Sequence, residues 1–307
     1  MFKAERLKLV GLVGLVLGLG GITLAGCQPR ATTTSHRLTV VTTTNFYGEV
    51  AQAVGGKHVK VTSIINRPSV DPHDYEPTTN VAKTVSHADF ALANGIGYDG
   101  WMNKVVKSTG HAKLISVGED VLGRRNGANE HLWYDVATMP KVAQYLAKQF
   151  GQRDPRHRTS YQKNAQRYVE SLKPINHEVT KLKAAAQKMP TRQVLVSEPV
   201  FDDALTTLGF KVANVNFENA VEKGTDPSPR VIKQMQTDLK RKRVAFFVDN
   251  RQVSDKLVEN MVTVAQRAGV PVLKVTETMP AHVTYQQWML NQYRQLEKIL
   301  KASAKVR

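Results

Sequence analysis

The chain has 307 residues, of which 41% are hydrophobic and 22% charged, with one Cys and a net charge of +17. This is the mix of a globular protein with room for two lobes, and it excludes a disordered chain, a collagen-like repeat and a multi-span membrane protein. A single Cys excludes an intrachain disulfide framework and any thiolate-rich metal site.

Lys3, Arg6 and Lys8 make a positive start, opposed only by Glu5, so residues 1–26 carry +2 and the rest of the chain +15. An apolar run over 9–24 follows, interrupted only by Gly and Thr23, and leads into Leu24-Ala25-Gly26-Cys27. A short run with several glycines ending in small residues predicts an export signal over 1–26 rather than a membrane span. The only Cys directly follows that site, which resembles a bacterial lipobox. That resemblance implies lipidation of Cys27 and residence on the outer face of the cell membrane. Residues 27–36 are polar and read as a tether.

From residue 37 onward, β-rich runs alternate with helical patterns. Strands are predicted at 38–43, 59–65, 90–93 and 113–116, with helices at 47–54, 80–85 and 101–107 between them. This alternation predicts an α/β lobe with a parallel sheet over 37–153. A long polar helix is predicted over 155–188, with apolar residues from Tyr161 to Ala186 at spacings of three and four and a bend at Pro174. It makes 154–189 the natural spacer. The alternation resumes over 190–307, with strands at 193–196, 211–216, 244–248 and 272–275. Helices are expected at 199–208, from Ser228-Pro229 to 240, from a Ser254 cap to 268, and over 285–301.

Ligands of open α/β sheets bind where loops leave the carboxyl ends of the strands. Four residues stand in such loops. His73 lies in Asp71-Pro72-His73-Asp74-Tyr75-Glu76-Pro77-Thr78, and His131 in Asn129-Glu130-His131-Leu132-Trp133-Tyr134-Asp135. Glu198 follows the strand at 193–196, and Asp249 follows the strand at 244–248. Imidazoles with carboxylates suit a borderline to hard divalent cation. Asp202 and Asp203 are expected to face solvent in a first helical turn.

Together the lipobox, the DPHDYEPT segment, Asn94-Gly95-Ile96-Gly97-Tyr98 followed by Trp101, EHLWYD and SEPVF resemble the metal-binding lipoproteins of zinc and manganese ABC importers. The likeness covers nearly the whole chain. It implies an α/β fold of two Rossmann-like lobes joined by one long backbone helix, with the metal held between the lobes. Carried over by motif, His73, His131 and Glu198 are ligands. Asp249 is the weakest match, with Asn250, Asp255 or no fourth protein ligand as alternatives. The cargo implied is one Mn2+ or Zn2+, with Fe2+ behind them. The short stretch over 118–130 without a His tilts the choice towards manganese. The implied partners are the membrane subunits of a permease, and the expected state is a monomer without enzymatic activity.

Two other functions compete. A metallohydrolase finds no HExxH, nucleophile elbow or phosphate loop in this sequence. A surface adhesin with a structural metal is compatible with transport. Nucleic acid is not an expected partner, because Lys240-Arg241-Lys242-Arg243 reads as the polar end of a helix. The +15 does not serve cation capture, since a positive field repels cations at long range. It fits anionic headgroups or wall polymers.

Overall fold

The computed structural model describes residues 37–305 apart from Ser69, Asp71, Asp74 and Ser254. The signal segment, Cys27 and the tether lie outside the described residues, as do the two carboxylates flanking His73.

The described chain forms two four-stranded parallel sheets. The first lobe runs β1 (Leu38–Thr44), α1 (Asn45–Gly55), β2 (Val59–Ile65), α2 (Thr79–Ser86), β3 (Phe90–Ala93), α3 (Gly100–Thr109) and β4 (Lys113–Ser116). Then come α4 (Thr138–Arg153), α5 (Arg158–Ser171) and α6 (Lys173–Ala186). The second lobe runs β5 (Gln193–Val196), α7 (Asp202–Leu208), β6 (Lys211–Val212), α8 (Val215–Glu222), α9 (Pro229–Lys240), β7 (Phe247–Asn250), α10 (Lys256–Arg267) and β8 (Val272–Val275). α11 (Tyr285–Lys305) closes the chain.

Both lobes repeat one topology, β2-β1-β3-β4 and β6-β5-β7-β8. β1, with the sequence LTVVTTT, is buried on both faces, as its central place between β2 and β3 requires. In each lobe the chain reverses direction across the sheet beside the first strand. That opens a crevice at the carboxyl ends, where ligands are expected.

The predicted spacer is two helices. α5 packs on α1 and α4 of the first lobe, and α6 packs on α7 and α11 of the second. They meet end to end at Leu172, which keeps right-handed helical dihedrals (φ −86°, ψ −6°). Pro174 sets the break, because its ring clashes with the preceding turn and it has no N–H to continue the ladder. One core threads from Val40 and Phe46 through Tyr161, Leu172 and Leu182 to Val196, Leu273 and Leu296. Tyr285 of α11 donates to the Trp133 carbonyl (2.6 Å), and Tyr134 donates to the Thr276 carbonyl (2.5 Å), so buried aromatics bridge the lobes. Wide separation of the lobes would expose this block.

Three of the boundary shifts bear on the cleft. The strand at 211–216 ends at Val212, and α8 takes over at Val215. The strand at 244–248 lies at Phe247–Asn250. The cap of α10 is Asp255, whose Oδ1 accepts from the N–H groups of Leu257 (2.6 Å) and Val258 (3.1 Å). Asp255 is thereby committed to the helix end. Asp255→Ala is expected to cost about 1 kcal/mol in a denaturant melt of the metal-free protein and to leave metal affinity unchanged. A large affinity loss would instead make Asp255 a ligand.

Candidate metal centre

The carboxyl ends of the strands in both lobes deliver side chains to one cleft of about 900 Å³, lined by His73, Glu198, Glu222, Asn250 and Glu277 among others. His131 stands behind this cleft, its Nε2 3.8 Å from Glu222 Oε1. It is fully buried, and its ring sits edge-on to Tyr98 and Trp133. Asn129 Oδ1 accepts from the His131 backbone N–H (3.0 Å) and faces Nδ1 (2.9 Å). An amide oxygen only accepts, so Nδ1 carries the proton and Nε2 presents its lone pair. That Nε2 has no hydrogen-bond partner among the described residues. Burial, with the nearby charge of His73, pushes the His131 pKa down to about 3, so the ring is neutral at any physiological pH.

His73 enters from the loop after β2 and stands edge-on to Tyr98, with ring centroids 4.9 Å apart. Its Nε2 lies 3.8 Å from Glu222 Oε1 and 3.8 Å from Glu277 Oε1. His131 Nε2 is also 3.8 Å from Glu222 Oε1. His73, His131 and Glu222 each offer one ligand atom, all within 4.8 Å of one another. These separations suit donors around a common ion.

The carboxylates are held from behind. Tyr98 donates to Glu277 Oε1 (2.8 Å), and Asn250 Nδ2 donates to Glu198 Oε1. Tyr98 is aimed by the turn Asn94–Tyr98, in which Gly95, Ile96 and Gly97 all have positive φ (80°, 46°, 108°). Asp99 ties this turn down by accepting from the N–H groups of Asn94 (2.7 Å) and Gly95 (2.9 Å). Gln252 clasps the lobes, donating to the Pro68 carbonyl near His73 and to Thr278 Oγ1 (2.7 Å). Burial and the charges of Glu198, Glu277 and Glu130 push the Glu222 pKa up to about 9.

Of the four residues singled out from sequence, His73, His131 and Glu198 come to the cleft. Asp249 does not. It lies within β7, opposite Lys274 of β8. Alternation sends it to the other face from Val248 and Asn250. Asn250 faces the cleft but spends its amide on Glu198. Glu277, two residues beyond β8, and Glu222, at the end of α8, were not anticipated. The strand-end rule applied to β8 would have reached Glu277, the first acid after that strand.

Asp202 and Asp203 are half-buried rather than solvated, and each has a buried oxygen without a hydrogen-bond partner among the described residues, as does Glu218. Burial and the charge of Asp203 raise the Asp202 pKa to about 7, while burial and the charge of Asp202 raise Glu218 to about 8. A carboxyl whose folded pKa is raised favours the fold fully below its unfolded pKa, and that contribution is lost as pH rises through the folded value. Glu218→Gln is therefore expected to raise the melting temperature of the metal-free protein by a few degrees at pH 9 and to change little at pH 5. An equal shift at both pH values would exclude this origin.

Comparison with known proteins fits this architecture. The chain is 29% identical over 283 residues to the metal ABC transporter substrate-binding lipoprotein SloC of Streptococcus mutans, covering 87% of this chain and 88% of that one. It is 28% identical over 276 residues to the manganese ABC transporter substrate-binding lipoprotein PsaA of Streptococcus pneumoniae, covering 84% and 86%. In fold it is similar to the periplasmic zinc-binding protein TroA of Treponema pallidum, with a TM-score of 0.70 at 18% identity, covering 86% and 99%. The model of the ZnuA family, zinc-uptake complex component A, periplasmic, matches residues 40–299, from β1 into α11. The chain is a member of that family.

Proposed function

We propose that this protein is an extracytoplasmic solute-binding lipoprotein, anchored through Cys27, that captures one divalent transition metal between its lobes and delivers it to an ABC permease. The observation that carries this reading is the buried, unpartnered Nε2 of His131 facing the same point as His73 Nε2 and Glu222 Oε1. A neutral imidazole held in one tautomer by Asn129 is prepared for a cation. We take His73, His131, Glu198 and Glu277 as the ligands, with Glu222 as a fifth donor in reach. Asp249 is not in this set. Capture needs no covalent step.

Two imidazoles against three carboxylates make a donor set on the hard side, which favours manganese as cargo, and relatives named for manganese agree. Zinc binds such sites more tightly in vitro whatever the physiological cargo. The test is therefore made on protein released from its native membranes, by elemental mass spectrometry. About one manganese per chain is expected. About one zinc would make zinc the cargo, and no stoichiometric metal would overturn the transport reading.

A further inference from the structure

Eight cations of the second lobe gather at one end. Parallel strands place the entrances of β5 to β8 on a single edge, opposite the edge that carries Glu198 and Glu277. Around these entrances stand Lys188, Arg192, Lys211, Lys240, Arg241, Lys242, Arg243 and Arg267, all exposed. Their loops are stitched together. The Lys211 N–H donates to the Arg192 carbonyl (2.8 Å), and Thr191 Oγ1 donates to the Arg243 carbonyl (3.2 Å). Lys242 Nζ reaches to 3.6 Å from where a side chain on Gly269 would begin.

Two observations set this end apart from a merely solvated surface. Of these eight cations only Arg243 has a carboxylate partner among the described residues, Asp238 (3.2 Å). And Lys242 is left-handed (φ 51°) at the end of α9, where glycine is the usual residue. The chain keeps a cation there against its backbone preference.

We propose that this pole binds a linear polyanion with repeated phosphate groups. Such a ligand matches a cluster of unpaired cations without needing an apolar anchor, and the only large hydrophobic exposed among the described residues is Val215. A polymer is favoured over a bilayer because, among the described residues, no large apolar side chain other than Val215 is exposed to enter one. The chain enters at Arg37, beside the start of β2, where His58 stacks on His157 at the head of α5. The basic pole lies just beyond the foot of α6. The two 14-residue helices between them span at most about 40 Å at 1.5 Å per residue. The pole therefore lies at the far end of the spacer helices from the point where the described chain begins.

The test titrates the purified protein with fluorescent inorganic polyphosphate over a range of salt. Arg192→Gln/Lys211→Gln/Arg241→Gln/Lys242→Gly is expected to lower affinity at least tenfold and to flatten the log–log salt dependence by about 3, from a slope of ~0.7 per phosphate neutralised on a single strand. Metal affinity, read in the same samples, stays unchanged, so this inference and the metal reading fail separately. Lys242→Gly alone, which relieves the left-handed lysine, keeps the test sound if the fourfold change disturbs folding, and is expected to weaken binding 2- to 3-fold. The charge-matched variant Lys141→Gln/Lys148→Gln/Lys163→Gln/Arg167→Gln, on α4 and α5, leaves binding within twofold. Equal losses in both fourfold variants, or binding to phosphatidylglycerol vesicles without binding to polyphosphate, would overturn the proposal.

Discussion

Replacing His131 with Ala is expected to lower affinity for manganese and zinc by about 100-fold. The magnitude follows from the scale of metal binding. A four-ligand protein site yields roughly 10–16 kcal/mol, or about 3 kcal/mol per ligand, and each 1.4 kcal/mol is tenfold. Glu277→Ala is expected to match it, because Tyr98 holds that carboxylate ready at 2.8 Å. Asp249→Ala is expected to leave affinity within twofold, since its side chain stands on the far face of β7. A competition titration against a chromophoric chelator ranks the three. The ranking separates the two candidates for the fourth ligand: a large loss in the Asp249 variant with none in the Glu277 variant would reverse the assignment. Thermal melts add a second readout. With metal at 100 times the dissociation constant, the intact site gains about 2.7 kcal/mol of stability, nearly all of which a 100-fold weaker variant forfeits.

Those two residues also show where sequence reading reaches and where it stops. β2, β3, β4, β5 and β8 are legible to the residue, because short apolar runs bounded by turns specify buried parallel strands. The loops after β2 and β5, which bring His73 and Glu198 to the cleft, could be placed for the same reason. β7 begins three residues later than its apolar run suggests, and that shift takes Asp249 out of the loop and into the strand. Parity then decides its face, and parity cannot be read until the strand's limits are known. Glu222 was hidden differently. Ala213 to Phe217 alternates like a strand, but the chain leaves the sheet at Asn214. That side chain accepts from the Val196 N–H (3.0 Å) and donates to the Val196 carbonyl (2.7 Å), doing with an amide what another strand residue would have done with its backbone. Its own carbonyl then accepts from the N–H groups of Phe217 and Glu218 and starts α8. A tertiary contact thus turns a strand pattern into a helix, and the helix carries Glu222 into the cleft. α4 was missed altogether because nothing in its sequence marks a sharp start, and no side chain caps it.

Metal binding is expected to release about one proton per ion at pH 7 to 8, and that proton comes from Glu222. The metal-free cleft crowds Glu198, Glu222 and Glu277 into a buried space, which raises the Glu222 pKa to about 9, so this carboxyl holds its proton at neutral pH. A divalent ion at the two imidazoles reverses the local field and expels it. His131 contributes no proton, because its pKa of about 3 leaves it neutral before the metal arrives. The sign follows directly. Affinity rises with pH by up to about tenfold per unit while Glu222 is protonated, and it levels off above its pKa of about 9. Calorimetry in buffers of different ionisation enthalpy counts the proton. In Glu222→Gln the count falls to near zero and the slope with it, because the amide has no proton to lose. The same carboxyl gives the site a route to release. Acidification, or any rearrangement that returns the three carboxylates to each other's company without the ion, restores the proton to Glu222 and weakens the hold on the metal. A proton count unchanged in Glu222→Gln would place the titrating group elsewhere in the cleft and remove this residue from the release step.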